Sequence, residues 1–189
     1  MNNKFKKYLL IITSLAYLSI FPSISSAQIN TLMFGGSVGF GEIKSNTPQQ
    51  STLNLRILTE FETSFWAGVY FRFSYQIAKD FEAFLPDTSP QSHFPYLQIF
   101  GFTGNIKQYL DKNIFLKEGA GLIAVNDRLF KTRDIWGAGV TFNAMLGLDL
   151  RENFGEGFTI GAGVDYGLAF NFENSQFYSF SAQLDYYLF

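Results

Sequence analysis

Along most of the chain, apolar residues alternate with small or polar ones at period two, and the alternation recurs in eight segments. Consecutive strand residues point to opposite faces, so the pattern predicts β-strands with one apolar face each. The sixth segment sets Trp136, Ala138, Val140, Phe142, Ala144, Leu146 and Leu148 against Gly137, Gly139, Thr141, Asn143, Met145, Gly147 and Asp149. The seventh sets Phe158, Ile160, Val164, Tyr166 and Leu168 against Thr159, Gly161, Gly163, Asp165 and Gly167. The third begins at Phe65 and sets Phe71, Phe73 and Tyr75 against Trp66, Tyr70, Arg72 and Gln76. The first, second and eighth behave alike. The fourth places Phe100, Phe102 and Ile106 opposite Thr103, Asn105, Lys107 and Tyr109. In the fifth, Lys117 and Glu118 are adjacent, so either one charge shares the apolar face or a bulge resets the register.

Gly, Ser, Asn and the charges share one face on nearly every strand, and that face must be the smaller, inner one. A water-soluble barrel or sandwich needs the reverse arrangement. The solvent for the Phe- and Leu-bearing face is then lipid. In lipid an open sheet edge leaves unpaired backbone groups, so the sheet must close. The expected fold is all-β: an eight-stranded antiparallel up-and-down transmembrane barrel. Short links at 62–64, 111–113 and 151–157 should be the periplasmic turns, and 45–51, 78–95, 126–134 and 171–176 the outer loops. Outward aromatics should then form two girdles. Tyr75, Tyr96, Trp136 and Tyr178 belong to the upper one, and Phe61, Phe65, Phe158 and Tyr186 to the lower.

An eight-stranded ring has room inside only for side chains. The inner parity collects Arg56, Glu60, Arg72, Lys107, Asp149, Asp165 and Asp185, close to charge balance. Buried charges persist when paired, so a structural plug of ion pairs is expected. The third and seventh strands lie opposite one another, so the glycines of the seventh are expected to receive Trp66 and Tyr70. Arg72 and Asp165 are expected to approach within about 6 Å.

The first 27 residues stand outside the alternation. Lys4, Lys6 and Lys7 precede an apolar run from Tyr8 to Phe21, and Ser25 and Ala27 fit a cleavage site after Ala27. This is the layout of a secretory signal peptide, leaving one domain at 28–189. The run is too short for a membrane-spanning helix. Without those three lysines the 14 basic residues become 11 against 16 acidic ones. No basic stripe remains for nucleic acid. The chain has no cysteine, so neither disulfides nor a lipid-anchored cysteine contribute. Aromatics reach 19% of the residues, which suits a chain that turns rings toward lipid.

Chemistry is sparse. Lipid A acyltransferases and deacylases use a histidine and a serine at the barrel rim, because acyl transfer needs a nucleophile and a base. The single histidine, His93, follows Ser92 in an outer loop and lacks the His-x-Ser spacing, since Pro95 stands two residues on. With one His, no Cys and scattered carboxylates, neither a metal site nor a cofactor is expected. The third outer loop, 127–134, carries Arg128, Lys131 and Arg133, a fit to lipopolysaccharide phosphates or simply to solvent.

The segment 107–113 followed by Gly119-Ala120-Gly121, with the closing aromatic strand, resembles the small outer-membrane barrels of the OmpX, opacity-protein and OmpA transmembrane-domain type. The resemblance implies a terminal signal, here Tyr186, Leu188 and Phe189, for the barrel-assembly machinery. The expected function is a non-enzymatic surface or adhesion-like role in the outer membrane, through loops that meet lipopolysaccharide or a host or neighbour surface. The alternatives are a narrow pore for small solutes and a lipid A-modifying enzyme.

Overall fold

The computed structural model describes residues 29–44, 49–80, 96–127, 135–152, 155–170 and 175–189. They form eight antiparallel strands closed into a barrel in chain order. These are β1 (Ile29–Lys44), β2 (Gln50–Thr63), β3 (Val69–Asp80), β4 (Tyr96–Tyr109), β5 (Ile114–Asp127), β6 (Ile135–Asp149), β7 (Gly157–Ala169) and β8 (Gln176–Tyr187). β1 pairs with both β2 and β8. The ladder runs past β8: Leu188 donates to Leu32 O at 2.9 Å, and Leu32 donates to Phe189 O at 3.2 Å.

The pairing fixes the barrel's geometry. Cross-strand partners lead from Met33 through Glu60, Arg72, Thr103, Gly121, Thr141, Gly167 and Phe177 to Ile43. One circuit therefore climbs ten residues along β1, or about 1.25 residues per strand step. Ten rises of about 3.3 Å over eight spacings of about 4.8 Å give a strand tilt of about 40°. Each residue then climbs about 2.5 Å along the axis, so the 12-residue β3 spans about 30 Å, enough for the apolar band of about 25 Å that lipid requires.

The apolar parity faces out. Phe40, Leu122, Ile57 and Leu55 are 60–67% exposed, and lipid, not water, suits that surface. Lipid-facing rings meet between strands in tilted contacts, as in Phe73 with Phe102 at 4.7 Å and Phe158 with Tyr186 at 4.8 Å. Trp136 and Tyr96 lie at the loop end of the wall and Tyr178 a little below it, with Phe61, Phe158 and Tyr186 near the turn end. Tyr75 does not reach a rim: it stands five residues inside the end of β3, at mid-wall over Phe100 at 4.8 Å.

The link between β2 and β3 corrects the expectation for Trp66. β3 starts at Val69, and Ser64–Trp66 form a single 3₁₀ turn. Gly68 follows at φ 84°, a backbone angle a side chain disfavours, and its N–H is taken by Glu62 at 2.6 Å. The turn throws Trp66 outward, 54% exposed, onto lipid-facing Phe71 at 5.6 Å. Phe65, 78% exposed, belongs to the same turn and not to the wall.

Candidate functional site: the barrel lumen

The inner parity builds three layers. At the loop end the lumen is mainly apolar: Ile43, Ala78, Leu97, Ile99, Ile123, Val125, Ala169 and Phe177 form one buried cluster, with Thr52 and Asn54 buried at the same level. Gly167 makes room for this cap, because a Cβ there would overlap the Phe177 ring. The alternation marks small, polar and charged residues together with Trp66, Tyr70 and Met145 as inward, and does not single out this cap. Short apolar residues at inner parity near strand ends were the available signal.

The middle layer holds charge. Arg56 donates Nη1 and Nη2 to Asp165 at 2.9 and 2.6 Å, while its Nε and Nη2 reach Gln76 Oε1 at 3.0 and 2.7 Å. Below it, Glu60 accepts from Arg72 Nε at 2.9 Å and from Lys117 Nζ at 2.7 Å. Asp185 accepts from Gln183 at 2.8 and 2.9 Å, and lies where a Cβ on Gly35 would otherwise stand. A cavity of about 20 Å³ lies among Arg56, Arg72, Gln76, Thr103 and Asp165. That is room for about one water.

At the turn end the lumen closes on Asp149. It accepts from Lys107 Nζ at 3.0 Å, from Arg151 Nε and Nη2 at 2.8 Å each, and from the Tyr109 hydroxyl. The cations also lie on rings: Arg151 is 3.8 Å from the centroid of Tyr187, and Lys107 4.1 Å from that of Phe115. Cations over ring faces are attracted by the ring quadrupole, more so when desolvated.

The structure brings Arg56, Glu60, Arg72, Lys107, Asp149, Asp165 and Asp185 inward, and adds two residues the sequence reading left out, Lys117 and Arg151. Arg72 and Asp165 border the same small cavity, but their direct ion-pair partners are other residues. Arg72 gives its Nε to Glu60, and Asp165 goes to Arg56. Tilt is the cause: on the ladder Asp165 sits about three residues above Arg72, but within about half a residue of Arg56's level. The Lys117–Glu118 ambiguity resolves without a bulge, since β4–β5 pairing is unbroken from Leu97↔Asp127 to Tyr109↔Phe115. Lys117 points in and is fully buried, whereas Glu118 points out and is exposed. Lys107 and Lys117 are direct cross-strand partners. Such like charges repel, and each is met by its own carboxylate. Ser92, His93, residues 128–134 and the first 28 residues lie outside the described residues. Among the described residues no group of His, Cys, Asp and Glu is arranged to hold a metal ion.

No protein-family model matches the chain. A search of curated proteins likewise finds no match. Solved structures do match in shape. Neisserial surface protein A aligns with TM-score 0.65 at 13% identity, over 82% of this chain and 96% of that one. The N-terminal β-barrel domain of Pseudomonas aeruginosa OprF aligns with TM-score 0.55 at 10% identity, over 85% and 100%. Ail, the attachment invasion locus protein of Yersinia pestis, aligns with TM-score 0.52 at 11% identity, over 84% and 97%. The fold is that of the small eight-stranded outer-membrane barrels.

Proposed function

We propose that the chain is an exported outer-membrane barrel with a sealed lumen, serving the envelope surface through its loops and not by conducting solutes or by catalysis. The sealed lumen carries the reading: an apolar cap, a paired-charge layer and a cation–ring plug follow one another along the axis. Conduction would require all three to rearrange. An even strand number puts both termini at the turn end, which becomes periplasmic once residues 1–27 have acted as a signal peptide. The loop end meets lipopolysaccharide and any host or neighbour surface, consistent with a likeness in fold to Ail and Neisserial surface protein A.

Planar-bilayer recording of the purified, folded barrel tests this reading. The expected record is flat, with no stable unitary current. Discrete single-channel steps would establish the narrow-pore alternative instead. Lipid A mass spectra with and without the gene, and with His93→Ala, test the enzymatic alternative; unchanged spectra are expected.

A further inference from the structure

The small cavity in the charge layer is bordered by hydrogen-bonding groups whose capacity is not used up. Arg72 and Gln76 line it from β3, only 3% and 4% exposed. Arg72 Nη2 and Gln76 Nε2 are buried and have no hydrogen-bond partner among the described residues. Neither side chain is free to turn away. Arg72 is held through Nε by Glu60, and Gln76 Oε1 accepts twice from Arg56, which fixes the amide and leaves Nε2 on its other side. A buried donor without an acceptor keeps its full cost of desolvation. β3 therefore presents two donors in need of an acceptor.

The far side of the cavity is complementary. Asp165 lines it from β7. Its two oxygens each receive one bond from Arg56, and an ionised carboxylate has about four lone-pair sites, so it can accept again. Thr141 lines the cavity from β6, and its hydroxyl proton goes to Tyr166 O at 3.1 Å. Toward the cavity that oxygen can only accept. Ser74, Thr103 and Asn143 complete the polar wall, and Ile99, Ile123 and Phe177 of the apolar cap close it on the loop side.

We propose that this cavity binds one water molecule, which accepts from Arg72 Nη2 and Gln76 Nε2 and donates to Asp165 and Thr141. Two donors and two acceptors match the valence of water, and a cavity of about 20 Å³ holds about one. An anion could take the two donors but would face the Asp165 carboxylate. A cation would face the guanidinium groups of Arg56 and Arg72. The water joins two ion clusters that have no direct bond printed between them: Arg56 with Asp165, and Glu60 with Arg72 and Lys117. Arg72 then serves Glu60 directly and Asp165 through the water, and β3 is tied to β6 and β7 across the lumen. The site follows from the packing of the lumen and holds whatever the loops bind.

Crystals of the folded barrel grown in sodium bromide test this. The expected result is a density peak within hydrogen-bond distance of Arg72 Nη2, Gln76 Nε2 and an Asp165 oxygen, without bromide anomalous signal. A bromide signal there would make it an anion site. That result, a dry cavity, or Arg72 Nη2 bonded directly to Asp165 overturns the proposal. In solution, the Gln76 Nε2 protons should show a nuclear Overhauser cross-peak to water. The cross-peak should persist in Ser74→Ala, which removes the neighbouring hydroxyl that could relay it; heat-modifiable migration confirms that the variant is folded. The Gln183 amide, whose Nε2 is turned onto both Asp185 oxygens, serves as the blank. A Gln76 amide without the cross-peak, or one that loses it in folded Ser74→Ala, overturns the proposal as well.

Discussion

Glu60 is where the charge layer can be tested most sharply. Its carboxylate is 1% exposed and sits between two buried cations, Arg72 at 2.9 Å and Lys117 at 2.7 Å. Glu60→Gln keeps shape and volume but removes the anion. The next carboxylate, Asp185, is already engaged by Gln183. Removing one partner of a buried ion pair costs about 3–5 kcal/mol, because the remaining charge stays desolvated and unmatched. Here two cations are left. The folded-to-unfolded ratio should therefore fall between about a hundred-fold and several thousand-fold. Urea titration in phospholipid vesicles reads this, with unboiled gel mobility reporting the folded fraction. The triple variant Glu60→Leu, Arg72→Met, Lys117→Met supplies the contrast. Replacing a whole buried ion cluster by apolar residues is often neutral, so it should lose less stability than Glu60→Gln alone. If Glu60→Gln falls within about 1 kcal/mol of the parent protein, water screens the lumen charges and the packed-plug account is wrong.

Other outcomes follow from the same geometry. Gly167→Ala should cost about 1–3 kcal/mol by driving a methyl into the Phe177 ring, and Gly167→Ala with Phe177→Leu should recover part of it in the same titration. Phe177→Ala should cost about 3–5 kcal/mol, and bilayer recordings should show whether thinning the apolar cap raises leak current. Trp66→Ala should cost less than about 1 kcal/mol, since the ring stands outside the wall; a loss of 3 kcal/mol or more would return Trp66 to the lumen. Arg56→Gln should destabilise more than Arg151→Gln in parallel melts, because Asp149 keeps Lys107 and Tyr109 as donors whereas Asp165 is held by the Arg56 fork.

The wall was legible because its signal is local. Phe142, Ala144 and Leu146 alternate with Thr141, Asn143 and Met145 whatever the neighbouring strand does, and lipid enforces that parity along the whole strand. Side-chain pairing inside the lumen was not legible in the same way. Which cation meets Asp165 depends on the ten-residue offset around the ring, a property of all eight strands together. Counting residues from strand starts therefore matched Arg72, where the tilted ladder supplies Arg56. Lys117 and Glu118 allowed two parities locally, and unbroken pairing with β4 on one side and β6 on the other decided between them. Trp66 obeyed the period of β3 but lies before its start, where a 3₁₀ turn and the positive φ of Gly68 end the alternation. The apolar cap was not legible, because its residues come from several different strands and meet only when the ring closes. Ile43, Leu97 and Phe177 show that part of the interior is closed by apolar side chains.

Everything in this barrel, from its exposed rings to its buried charges, depends on lipid being the solvent of the outward face. Spin labels placed one at a time along β6, from Val140 to Leu148 in folded, vesicle-embedded protein, measure this directly through their collisions with oxygen and with a water-soluble nickel chelate. Labels at Val140, Phe142, Ala144, Leu146 and Leu148 should collide readily with oxygen and rarely with nickel. Those at Thr141, Asn143, Met145 and Gly147 should be shielded from both. High nickel accessibility at Phe142, Ala144 and Leu146 would mean that water bathes that face, and the barrel would not be a membrane protein.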